Sequence, residues 1–198
     1  NKESKERPSI LEMIFNIYIK YYKNIKIRNL FEIYITNLTE YYKFDKTDEN
    51  KNDQKSLITQ FYFGKLYEEG ELIPRDINKS IHYYSLAANQ NYAKAQFNLG
   101  LLYEEGELIP RDINKSIHYY SLAANQNDAE AQFSLGLLYE EGELIPRDIN
   151  KSIHYYSLAA NQNHTNAQFN LRVIYFNGEL IPRDINKSIH YFTLAANQ

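Results

Sequence analysis

The block LYEEGELIPRDINKSIHYYSLAANQN, 26 residues long, stands unchanged at 66–91, 102–127 and 138–163. A fourth, lightly altered copy runs from Ile174 to Gln198, and the copies recur every 36 residues. A period of that size belongs to stacked supersecondary units, none of which can bury its apolar face alone. The repetition therefore predicts a solenoid. It also argues against a private active site, because catalysis needs unlike groups converging on one spot and a repeated unit offers the same environment each time.

The pattern inside one unit makes the solenoid all-α. In the second unit, Tyr92 to Glu104 places Ala95, Leu99, Leu102 and Tyr103 at i, i+4, i+7 and i+8, one face of a 3.6-residue period. Gly106 follows as a left-handed C-terminal cap. Asp112 is a good N-cap for a second helix, on which Ile113, Ile117, Tyr120 and Ala124 fall at helical spacing. That helix ends in Asn125-Gln126-Asn127, and asparagine tolerates the left-handed conformation. The short link EEGELIP makes the two helices antiparallel neighbours. Gly64, Gly100 and Gly136 lie inside first helices, where glycine costs about 1 kcal/mol against alanine. The expectation is that each lets another helix backbone come close.

Three zones follow along the chain. Residues 1–44 carry apolar residues at mixed helical spacing, and 45–55, DKTDENKNDQK, reads as a polar linker or exposed loop. Residues 56–198 form four units: 56–91, 92–127, 128–163 and 164–198. Both ends look cut, so the chain is expected to be a piece of a longer protein. Net charge is −3, which gives no strong field for nucleic acid or an anionic membrane. The absence of cysteine excludes a disulfide scaffold and a cysteine-ligated zinc, and fits a cytoplasmic home. No apolar run approaches the roughly 20 residues of a membrane helix, so no membrane insertion is expected.

The repeat AxAQFNLGLLYEEGELIPRDINKSIHYYSLAANQ resembles the Sel-1-like repeat, a relative of the tetratricopeptide repeat. Ala93, Ala95, Gln96, Phe97, Leu99, Gly100 and Tyr103 match its first helix. Gly106, Asp112, Lys115, Tyr119, Tyr120, Ala123 and Ala124 match its loop and second helix. Serine (Ser80, Ser116, Ser152, Ser188) replaces the usual alanine, and Arg172 replaces the glycine of the other copies, which suggests a distorted or less tightly stacked final repeat. The resemblance implies a right-handed superhelix of helix pairs that serves as a scaffold or adaptor for protein complexes. Its ligand would lie along the concave side, lined by first helices. NKESKERPSILEM is similar to the end of a protein kinase domain of the tyrosine-kinase-like group, through Arg7, Pro8, Ser9 and Glu12. That likeness implies that residues 1–22 close a Ser/Thr kinase domain, that 23–55 connect, and that the repeats recruit its substrates. The family also includes lumenal quality-control adaptors. Asn-Lys-Ser recurs at 78–80 and its equivalents, with further sequons at Asn37 and Asn163, so a lumenal role in the endoplasmic reticulum is the other alternative.

Each group that could carry chemistry also has a plainer explanation. Glu68-Glu69, Glu104-Glu105 and Glu140-Glu141 could act as acid–base pairs. Repetition gives no means of splitting their pKa values, so they read as solvated acids near Arg75, Arg111 and Arg147, with no catalytic residue. His82, His118, His154 and His190 recur a two-helix repeat apart, too far for zinc–nitrogen bonds of about 2.1 Å. No metal or other cofactor is expected. Tyr83 and Tyr84 and their equivalents could stack on bases, but without a basic groove no nucleic acid is expected.

What differs between copies points to a protein or peptide partner. Positions 92, 94 and 98 are Tyr, Lys and Asn. Their equivalents at 128, 130 and 134 are Asp, Glu and Ser, and at 164, 166 and 170 they are His, Asn and Asn. By analogy with tetratricopeptide repeats, Lys94, Phe97, Leu101 and Glu104 line a groove. Glu130, Phe133, Leu137 and Glu140 continue it, followed by Asn166, Phe169, Val173 and Phe176. The apolar strip suits docked apolar anchors. The plain alternative is that the phenylalanines are core. No polar helix follows Gln198, so end-to-end self-association of the fragment is also expected.

Overall fold

The computed structural model describes residues 54–71 and 74–196. Eight helices are described: α1 (Gln54–Glu69), α2 (Ile77–Asn89), α3 (Ala93–Glu105), α4 (Ile113–Ala124), α5 (Ala129–Glu141), α6 (Ile149–Ala160), α7 (Thr165–Asn177) and α8 (Ile185–Ala196). No strand occurs among the described residues. The architecture is the all-α solenoid of helix pairs that the period predicts. Gln54 and Lys55, the last two residues of the stretch read as a polar linker, belong to α1, and the rest of that stretch lies outside the described residues.

The chain divides into two compact units, 1–95 and 96–198. In the first, α1 packs against α2. In the second, α5 packs on α6 and α7 on α8 as pairs, while α4–α5 and α6–α7 contacts join successive pairs.

Each pair is closed by local chemistry. Gly142 sits at φ 69° as the left-handed cap of α5. A Cβ there would come within 2.6 Å of the Arg147 Cβ, so the position excludes a side chain on two grounds. The loop is then pinned where Asp148 N–H donates to the Tyr139 carbonyl at 2.9 Å. Asp148 Oδ1 accepts from Lys151 N–H at 3.0 Å, capping α6. Asp112 does the same for α4 through Lys115 N–H. Between pairs, Asn127 and Asn163 take φ 63° and 65°, the conformation for which asparagine is suited.

Two buried features hold the pairs in the second unit. Gln132 is 1% exposed and donates to the carbonyl of Ala124, the last residue of α4. Gln168 does the same to Ala160 at the end of α6. Carbonyls at a helix C-terminus lack an intrahelical partner, and here the next pair supplies one.

The second feature corrects an expectation. Tyr120 and Tyr156 are fully buried, and their rings occupy the space left by Gly100 and Gly136. A Cβ on Gly100 would lie 2.5 Å from Cδ1 of Tyr120. The glycines make room for a tyrosine ring from the paired second helix, where a helix backbone had been expected. Tyr84 fills the space beside Gly64 in the first unit in the same way.

One residue of each block is poorly matched to its place. Ser80, Ser116 and Ser152 are fully buried, and their hydroxyls find no hydrogen-bond partner among the described residues. A buried unsatisfied hydroxyl costs about 1–3 kcal/mol. Ser152→Ala is therefore expected to stabilise the second unit by about 1 kcal/mol, read as a higher urea midpoint with unchanged slope. An equal or lower midpoint would show that the hydroxyl is bonded after all.

Candidate partner-binding surface

The proposed groove residues fall into three classes. Lys94 is exposed and belongs to the first unit. In the second unit, Glu130 and Asn166 are exposed, while Phe97, Leu101, Phe133, Leu137 and Val173 are half-buried. Phe97 lies against Tyr120 and Phe133 against Tyr156, each with ring centroids 5.6 Å apart. The strip is thus part core and part surface. Phe169 differs, at 53% exposed.

Glu104 and Glu140 are not simply solvated. Tyr120 Oη donates to Glu104 and Tyr156 Oη to Glu140, both at 2.6 Å. Burial of the two phenols, with the neighbouring carboxylates adding to it, pushes their titration far above the ordinary tyrosine range. The arginines read as their neighbours donate elsewhere: Arg111 and Arg147 reach the main-chain carbonyls of Glu105 and Glu141. Glu141 is held above the usual carboxylate range, first by partial desolvation and then by Glu143, Glu104 and Glu140. Acids of two successive repeats thus share one edge of the second unit, at the negative ends of α3 and α5.

The positions that vary between copies separate cleanly by role. Asp128 caps α5 by accepting from Ala131 N–H at 2.9 Å. His164 caps α7 through Nδ1, which accepts from Ala167 N–H at 3.2 Å, so the ring proton sits on Nε2, 3.3 Å from Glu130. The imidazole also stacks on Phe133 at 4.6 Å. Asn170 serves the joint between pairs, its Nδ2 donating to Tyr156 Oη at 2.9 Å, and Ser134 is half-buried at the equivalent position of α5. Of the equivalents of Lys94 in the second unit, Glu130 meets His164 Nε2 yet stays exposed, and Asn166 is exposed too, each three residues before a phenylalanine of the strip.

The remaining repeated side chains have structural roles. Tyr103 stacks on Tyr119 within 5° of parallel, with the Lys115 ammonium 4.8 Å above the Tyr103 ring. The same stack recurs with Lys151, Tyr139 and Tyr155. His118, His154 and His190 are exposed against the edge of the following tyrosine. Among the described residues no three His, Asp or Glu side chains converge as metal ligands, and no helix is long and apolar enough to cross a membrane. The serines of the Asn-Lys-Ser sequons at 114–116 and 150–152 are fully buried in the first turns of α4 and α6. The kinase-like residues Arg7, Pro8, Ser9 and Glu12 lie outside the described residues.

The last repeat departs at a linked set of positions. Where earlier copies have glycine, glutamate and tyrosine, it has Arg172, Phe176 and Phe192. The helix pair is kept. The Arg172 guanidinium lies 5.3 Å from the Phe169 centroid and 5.6 Å from that of Phe192. Phe192 is 57% exposed, against 0% for Tyr156.

Comparison with known proteins fits this geometry. The family model described as Sel1 repeat matches residues 59–92, 93–128, 129–164 and 165–198. A Sel1 repeat protein from Oxalobacter formigenes superposes with a TM-score of 0.67 at 29% identity, over 88% of this chain and 69% of that one. The protective antigen c5321 of uropathogenic Escherichia coli, which displays an SLR fold, gives 0.68 at 29% identity, over 76% of this chain and 33% of its own. This chain thus spans about a third of the length of that antigen. No curated protein matches the chain.

Proposed function

The chain belongs to the Sel1 repeat family, and from that premise we propose that the first-helix face of its second unit holds an extended peptide or a helix of a partner protein. Sel1 repeat proteins are generally protein–protein interaction scaffolds, and the fold is typically non-enzymatic. The observation that carries the finer reading is the division of labour among the variable positions. Those at 128 and 164 are spent on caps, that at 170 on a joint, and that at 134 is half-buried. Glu130 and Asn166 are variable, exposed and one helical turn from Phe133 and Phe169. Apolar anchors in half-buried slots beside a changing polar residue are the usual arrangement for recognising a segment by its side chains. The acids at the ends of α3 and α5 favour a partner with basic residues beside its apolar ones.

Site-specific photo-crosslinking tests this without disturbing the core. A crosslinker placed at Glu130 or Asn166 is expected to trap the same partner. One at His154, exposed on a second helix, is expected to trap none of it. Equal trapping from His154 would remove the first-helix face from the mechanism. Charge reversal by Glu130→Lys should reduce capture about 5–10-fold if one charge pair is lost.

A further inference from the structure

One joint of the second unit is built around a histidine, and that histidine touches the first-helix face directly. His164 is the N-cap of α7, at a position where the other copies have Tyr92 and Asp128. Its side chain is only 10% exposed, and its ring is stacked on Phe133 of α5 at 4.6 Å. Nδ1 accepts from Ala167 N–H at 3.2 Å, and Nε2 lies 3.3 Å from Glu130, whose side chain is 66% exposed. The other histidines, His82, His118, His154 and His190, are exposed on second helices.

Few charges face this ring. From α5 come Glu130 and, at the same helix end, Asp128, whose Oδ1 is engaged by Ala131 N–H. The end of α6 and the turn after it bring Ala159, Ala160, Asn161 and Gln162, none of them titratable, and the Ala159 carbonyl accepts from His164 N–H at 3.1 Å. On α7 itself the first charged residue is Arg172, about two turns further along. A neutral imidazole accepts at one nitrogen and donates at the other, which is the pattern used here, whereas a protonated one only donates. The added proton has to enter at Nδ1, because Nε2 already carries one. It then faces Ala167 N–H, donor against donor, and the cap of α7 is lost. The new positive charge sits at the positive end of α7 and 3.3 Å from Glu130. Ring and carboxylate become an ion pair, and the negative charge that Glu130 shows to the first-helix face is cancelled.

We propose that His164 is a proton-operated switch on the first-helix face: its protonation uncaps α7 and pairs Glu130, so that the face releases a basic partner on acidification. The inference rests on reading that face as the partner-binding surface, and it adds a regulation of it. Both consequences fall on the variable, exposed positions. Glu130 loses its available charge, and Asn166, in the first turn of α7, loses its fixed setting. The residue types of the other copies could not do this, because aspartate and tyrosine ordinarily keep one charge state between pH 5 and 8, the interval in which histidine changes its own. The response is therefore confined to the joint between α5 and α7, while the repeated frame around it stays unchanged.

The test uses the whole chain and has two arms. In the first, solvent exchange of the Ala167 amide is followed by NMR from pH 8 to pH 5 beside the His164 ring signals, and corrected for the intrinsic pH dependence of exchange. Protection is expected to fall about fivefold in step with the ring titration, the loss of one helix cap. His164→Asn keeps a capping oxygen without a titratable ring and should show no fall. In the second arm the probe is a lysine-bearing peptide selected at pH 7.5 from a displayed library of mixed apolar and basic sequences, and kept only if Glu130→Lys weakens it. Its affinity is expected to drop about 5–10-fold by pH 5.5 on the natural chain and to stay level on His164→Asn. Glu130→Gln should keep the fall in Ala167 protection and flatten the affinity profile. Circular dichroism confirms that the variants keep their helices. Ala167 protection that stays constant through the ring titration, or an affinity drop that persists in His164→Asn, would overturn the proposal. A library that yields no such peptide would count against the first-helix groove itself, while Ala167 protection still decides the switch.

Discussion

Tyr156→Ala is expected to lower the unfolding free energy of the second unit by about 3–5 kcal/mol, the cost of emptying a large, fully buried aromatic site. The loss has two parts. The ring fills the space above Gly136 and lies beneath α7, so its removal opens a cavity within one pair and at the joint to the next. Its hydroxyl donates to Glu140 and accepts from Asn170, so both polar groups lose a partner. Tyr156→Phe isolates the second part and should cost about 1–2 kcal/mol. Urea unfolding gives the totals, and native-state hydrogen exchange locates them, with faster exchange expected in α5 to α7. A Tyr156→Ala loss below about 1 kcal/mol would mean that the site collapses around the missing ring or that the ring is not seated as described.

Gly136→Ala is expected to destabilise the same unit by about 2 kcal/mol, although alanine is the better helix former by about 1 kcal/mol. The added methyl collides with the Tyr156 ring, which is enclosed and has no exposed space to swing into. The conflict belongs to the pair, so it should vanish when the ring is absent. In a Tyr156→Leu background the same Gly136→Ala change should become neutral or stabilising, giving a coupling energy of about 2–3 kcal/mol in a double-mutant cycle. Additive effects would show that Gly136 is retained for some reason other than the ring. The last repeat is the natural counterpart of this experiment: the glycine, the tyrosine and its glutamate partner all change there together.

These two effects also show where reading the sequence stopped. Gly106, Asp112 and the closing asparagine were legible because caps and left-handed turns are decided by a few consecutive residues. The phenylalanine strip was legible as a face, but its half-burial was not, since that depends on Tyr120, Tyr156 and His164 arriving from other helices. Glu104 and Glu140 read as solvated acids because their tyrosine partners lie 16 residues away on the paired helix. A signal for that pairing was present, in the joint replacement of Gly, Glu and Tyr by Arg172, Phe176 and Phe192. It becomes meaningful only once the three positions are known to touch.

The variable positions teach the same lesson. In the sequence they form one group, all within the first helix or its approach. In the structure His164 and Asp128 hold helix ends, Asn170 holds a joint, Ser134 is half-buried, and Glu130 and Asn166 are exposed. The sequence by itself determined the period, the helix pairs, their caps and the all-α solenoid, because each follows from spacing along the chain and from conformations that single residues favour. Only the tertiary structure decided which side chain fills each glycine and which carboxylates are bound. Those outcomes depend on groups from different helices meeting in space, and a one-dimensional pattern specifies which face a residue lies on without specifying what that face meets.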